Sequence, residues 1–128
     1  MKKVKGIIGL SMSLIISLGI TANVSAGTKD ITGTYLKLHV ASYKTSGSAT
    51  TTDRSGNRWV KAWQNSYNQN GVQLSYTTNT STGSVTASVS GISGNARTVG
   101  NGQIRNGTSP GSQLMETQTA TAYANMVR

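Results

Sequence analysis

In three separate stretches apolar and polar side chains alternate with a period of two, and outside the N-terminus the one competing helical pattern, over 113–127, is opposed by its threonines. That alternation is the signature of strands with one dry face and one wet face. In residues 34–44, Leu36, Leu38 and Val40 fall on one side, with Tyr35, Lys37, His39 and Tyr43 on the other. Residues 72–78 set Val72, Leu74 and Tyr76 against Gln73, Ser75 and Thr77, and residues 84–92 set Val85, Ala87 and Val89 against Thr86, Ser88 and Ser90.

Turn chemistry separates these runs. Asn70-Gly71 suits a two-residue hairpin, because both positions tolerate the positive φ of a type I′ turn. Thr82-Gly83 supplies another reversal. Together they predict a three-strand meander, 58–67, 72–78 and 84–92, with a common apolar face. Residues 45–57 read as a polar loop or irregular edge. Residues 93–112, rich in glycine and asparagine, read as a short strand pair or long ordered loops. Residues 113–128 read as a last strand; a helix over 113–127 is the alternative, opposed by Thr117, Thr119 and Thr121, whose branched side chains lose χ1 freedom in a helix. The fold class expected is all-β, a small antiparallel β-sandwich or barrel.

The N-terminus is different in kind. Lys2, Lys3 and Lys5 precede an uncharged apolar stretch from Gly6 to about Ile20, followed by Val24-Ser25-Ala26. This is the layout of a secretory signal peptide with cleavage after Ala26, or after Ala22 as the alternative. The apolar run is short for the roughly 20 residues of a membrane-spanning helix. The expected organisation is a signal peptide, 1–26, and a single secreted domain, 27–128, placed outside the cell or on its wall. The chain contains no cysteine, so an exported fold rests on burial and hydrogen bonding without disulfides. Cysteine-free export behind a lysine-rich leader suits a Gram-positive bacterium.

From residue 27 onward, Lys29, Lys37, Lys44, Lys61, Arg54, Arg58, Arg97, Arg105 and Arg128 face Asp30, Asp53 and Glu116, nine cations against three anions and a net +6. Such a field favours anionic partners such as a cell-wall polymer or an anionic lipid headgroup, although charge also serves solubility. In size and charge the chain resembles secreted Gram-positive antimicrobial proteins of the β-sandwich kind, a resemblance that implies an envelope target and no particular site.

Catalytic chemistry finds few candidates. His39 is the only imidazole and reads as a surface residue. Asp53 and Glu116 read as solvated carboxylates answering arginines, since a glycosidase needs its two carboxyls held across one bond. Without cysteine and with one histidine, a transition-metal site lacks ligands, and no calcium-loop spacing or phosphate cradle is present. The chain is read as a non-enzyme without cofactor or metal.

Residues 58–67, RWVKAWQNSY, hold both tryptophans and form the candidate binding segment: Arg58, Trp59, Lys61, Trp63 and Tyr67. On an extended chain Trp59, Lys61, Trp63, Asn65 and Tyr67 share one face, with the aromatics about 13 Å apart. Rings stack on sugars or bases, and the cations attract anions. The competing reading makes tryptophan core bulk, since phenylalanine is absent and large apolar side chains are few. The leading expectation is a secreted cationic domain that binds an anionic or glycan component of a bacterial envelope, with bacteriocin-like killing as one branch. A protein-binding module, an inhibitor or surface-assembly subunit, is the alternative; nucleic acid ranks third because of export.

Overall fold

The computed structural model describes residues 26–124. The leader predicted over 1–26 lies outside these residues except for Ala26, which opens the first strand. Eight strands follow in order: β1 (Ala26–Thr32), β2 (Leu36–Tyr43), β3 (Ser46–Asp53), β4 (Trp59–Asn68), β5 (Gln73–Thr82), β6 (Ser84–Ser90), β7 (Asn95–Arg105) and β8 (Leu114–Tyr123). They form two four-stranded antiparallel sheets, β1-β2-β3-β6 and β5-β4-β7-β8, packed face to face as a sandwich. The described residues contain no helix, and the strand expected over 113–128 is β8.

The alternation in 34–44 holds as read. Leu36, Leu38 and Val40 are buried, and Lys37, His39 and Tyr43 are exposed. They meet Val60 and Ala62 of β4, Val85 and Ala87 of β6, and Ile104 of β7 in one apolar core. Alanines of β8, Ala120 and Ala122, complete it.

The segment expected to be a polar loop or irregular edge, 45–57, and the one expected to be a short strand pair or long ordered loops, 93–112, each hold a central strand. β3 lies inside 45–57, pairing with β2 at Val40↔Ala49 and with β6 at Ala49↔Ala87. Its inward residues are Gly47, Ala49, Thr51 and Asp53, so its buried face carries no apolar alternation. β7 lies inside 93–112, and its inward face is Thr98, Gly100, Gly102 and Ile104. A Cβ on Gly100 would collide with Val40 and press on Ala49, and one on Gly102 would press on Thr51 and Leu38. These glycines sit where the two sheets approach closely and a side chain has no room.

The meander is corrected in two respects. β4 and β5 pair across the Asn70-Gly71 turn, where Gly71 has φ 81°. At Gly83, with φ 84°, the chain leaves that sheet, and β6 pairs with β3 in the other. β5 also has the opposite phase from the expected one: Thr77 lies opposite Gln64, and Tyr76 lies opposite Asn65. Tyr76 is therefore 51% exposed on the outer face, and Thr77 points inward, where its hydroxyl accepts a bond from Gln64 Nε2 at 2.9 Å.

That contact belongs to a polar layer at one end of the core. Ser66 Oγ donates to Gln64 Oε1 at 2.7 Å and meets Thr98 Oγ1 at 3.1 Å, and Thr98 meets Ser42. Asn95 Nδ2 lies 2.7 Å from the Tyr43 carbonyl and 3.0 Å from that of Ser46, so the amide fastens β7 to the β2–β3 turn. Buried polar groups at this density must be paired, and nearly all of these are.

Candidate functional site

With Val60, Ala62, Gln64 and Ser66 buried, the alternate residues of β4 all project from the outer face of its sheet. Trp59, Lys61, Trp63, Asn65 and Tyr67 thus share one surface, as their spacing predicts, and each is half-buried against neighbours on that surface. Neither indole lies in the core; bulk there comes from Leu36, Leu38, Ile104 and the valines.

Cross-strand register supplies what sequence reading missed. β7 places Arg97 beside Tyr67, Val99 beside Asn65, Asn101 beside Trp63 and Gln103 beside Lys61. β8 adds Thr117, Thr119 and Thr121 in the next column, and β5 adds Thr78 and Thr80 on the opposite flank. Three cation–ring pairs result. Arg97 sits 4.5 Å from the Tyr67 ring centre, Lys61 5.1 Å from that of Trp63, and Arg105 5.5 Å from that of Trp59. The last arginine is held in place by its bond from Nη1 to the Ser112 carbonyl at 2.9 Å. Asn101 is oriented by a 2.6 Å bond from the Thr119 hydroxyl. Arg97 and Arg105 fall outside any aromatic cluster in the sequence, and only the pairing of β4 with β7 brings them to the site.

Arg58 is placed elsewhere. Its guanidinium donates from Nη2 to Asp53 Oδ1 at 2.8 Å and from Nε to Asp53 Oδ2 at 3.0 Å, and it lies 5.5 Å from the Tyr35 ring. The Asp53 side chain is fully buried and also accepts the backbone N–H of Ser55 and of Arg58. The Arg58 bonds hold the Asp53 carboxyl far below its ordinary range, against the opposing effect of burial. The same pair raises the Arg58 pKa. Arg58 thus joins β3 to β4 and stands apart from the row.

Glu116 is likewise turned inward. Its carboxylate accepts from the backbone N–H of Thr34, Tyr35 and Leu36 at 3.1, 2.7 and 3.1 Å, and from Gln118 Nε2 at 2.7 Å. Burial favours its protonated form, but the four bonds prevail and its pKa is lowered. Asp30 pairs with His39 at 2.6 Å on the outer face of the other sheet. All three carboxylates are thereby engaged away from the cation–ring surface, which among the described residues carries positive charge and no acid. Also among the described residues, no cluster of three or more histidine or carboxylate groups could hold a metal ion.

Comparison with protein-family models, with curated proteins and with solved structures found no match.

Proposed function

We propose that this protein is a secreted, non-catalytic binding domain that takes an anionic or glycan polymer of a bacterial envelope across the outer face of the β5-β4-β7-β8 sheet. The observation that carries this reading is the row of three cation–ring pairs on a surface free of carboxylates. Each pair offers an aromatic plane to a sugar ring and, beside it, a cation for phosphate or carboxylate. Because no acid neutralises Lys61, Arg97 or Arg105 there, their charge remains available to a ligand. Asn65, Asn101, Gln103 and the threonines of β8 supply hydrogen-bonding groups between the rings. The four-residue spacing along β4, about 13 Å per step, suits an extended chain molecule better than a compact one. Export rests on the leader-like residues 1–26.

The test is sedimentation of the purified domain with intact Gram-positive cells, with isolated walls, and with walls stripped of teichoic acid. Retention by whole walls, lost on stripping and weakened by salt, supports the reading, since salt screens exposed charges. Retention by stripped walls that salt still weakens assigns the glycan, and retention indifferent to salt contradicts the reading. Loss of viability in the intact-cell arm identifies the bacteriocin-like branch; binding without killing identifies an adhesive module.

A further inference from the structure

Between Lys61 and Arg97 the sequence contains no charged residue. This stretch supplies all of β5 and β6, the two strands that lie along one lateral side of the sandwich. On the opposite side β1 carries Lys29 and Asp30, and Gly27 is pressed against the Tyr123 carbonyl of β8. On the charge-free side Asn79 Nδ2 donates to the Thr86 carbonyl at 3.2 Å, so β5 partly covers the β6 edge. Among the described residues no strand lies beside the outer edge of β5, and of its edge donors the Thr80 N–H alone is already taken, by Asn79 Oδ1 at 3.0 Å. It runs ten residues with no proline and no charge, and its irregularity falls at its beginning, opposite Ser66 and Tyr67. Edge strands of monomeric proteins are guarded by charges, prolines, bulges or short length, and from Ser75 to Thr82 none of these is present.

We infer that β5 is the contact through which two copies of this chain pair, antiparallel, about a two-fold axis normal to the sheet. An unpaired strand edge is satisfied most completely by another strand, which matches its backbone donors and acceptors in register. Charge, as the described residues carry it, selects the partner and the place. Two domains of net +6 repel on most approaches, and the β5 side is the one where no cation meets its copy. The resulting sheet has eight strands, four from each copy, with both outer faces on the same side. Two cation–ring rows then lie on one surface, running in opposite directions, so a single long polymer can engage both and gain avidity. A strand-edge contact is small, so pairing is concentration-dependent. The inference stands apart from the ligand reading, because the state of association is measured with no ligand present.

Both sheets and their shared core lie within residues 26–124, so the experiment is sedimentation equilibrium on the chain from residue 26 onward. The native protein is expected to reach a mass of two chains as concentration rises. The Thr78→Lys/Thr80→Lys variant, whose substitutions lie on the exposed outer face of β5, should lose that species and keep its far-ultraviolet dichroism. A Thr28→Lys control on the β1 edge should keep it. Because the chain has no cysteine, single Tyr76→Cys, Thr78→Cys and Thr80→Cys variants report the axis directly, and at least one should form a disulfide-linked pair under mild oxidation. A single-chain mass at every concentration, a two-chain mass unaffected by the lysines, or open-ended filaments would overturn the inference.

Discussion

Asp53 and Arg58 form a two-point ion pair, 2.8 and 3.0 Å, at the place where the chain leaves β3 in one sheet and enters β4 in the other. The Asp53 carboxylate also receives two backbone N–H groups of the connecting turn. One buried side chain therefore fixes the crossing between sheets and the start of the strand that bears the aromatic row.

Replacing Asp53 with Asn leaves the partly buried guanidinium without its counterion and should destabilise the domain by about 3 kcal/mol, since breaking a buried pair costs far more than the pair contributes. The effect has a pH signature. The folded carboxyl titrates below its ordinary value of 3.8, so its contribution is fully present above that pH and is lost as pH falls below it. Thermal unfolding of native protein and Asp53→Asn, followed from neutral pH downward, should show a stability gap that is constant above about pH 5 and narrows below about pH 4. A gap independent of pH would show that the pair is not its source.

Glu116→Ala removes the acceptor shared by three consecutive amides and should cost roughly 1–3 kcal/mol. Hydrogen exchange locates the damage: Thr34, Tyr35 and Leu36 should lose protection while amides of β4 and β7 keep theirs. Uniform loss of protection would mean that the carboxylate supports the whole fold and not the β1–β2 turn.

Gly100→Ala should destabilise by about 1–3 kcal/mol through overpacking, because its new methyl meets Val40 and Ala49. Adding Val40→Ala, which opens space at that point, should recover part of the loss. Chemical denaturation of the two single variants and the double variant tests this coupling, and strict additivity would contradict the close approach of the sheets.

The strands legible in the sequence are β2 and β6, whose inward residues are apolar and alternate, the β4–β5 hairpin declared by Asn70-Gly71, and β8, declared by its threonines. β3, and β7 as one long strand, are hard to read for a common reason. Gly47, Ala49 and Thr51 face Thr98, Gly100 and Gly102 across the core, so these two interior strands present small or hydroxyl residues where a reader looks for valine and leucine. The inverted phase of β5 has a similar cause: Gln64 occupies a core position and selects Thr77 as its partner, which turns Tyr76 outward. Half the candidate site follows from period two along β4. The other half, Arg97 and Arg105, depends on non-local pairing with β7, and spacing within one segment carries no information about it.

Each cation of the row should contribute to ligand capture separately. Lys61→Ala, Arg97→Ala and Arg105→Ala are each expected to weaken binding to isolated walls by roughly 1 kcal/mol, about five-fold, and to flatten its dependence on salt. Arg54→Ala, a cation near the far turn that donates to the Gly33 carbonyl, should leave binding unchanged. An equal loss for Arg54→Ala would indicate a general field of charge in place of a defined surface.

The central claim is that the outer face of the β5-β4-β7-β8 sheet captures the ligand, and the most direct measurement is wall binding by the Trp59→Ala/Trp63→Ala variant. Both rings stand outside the core, so the variant should unfold within a few degrees of the native protein while its wall binding falls at least ten-fold. Full binding by a variant of native-like stability would contradict the claim.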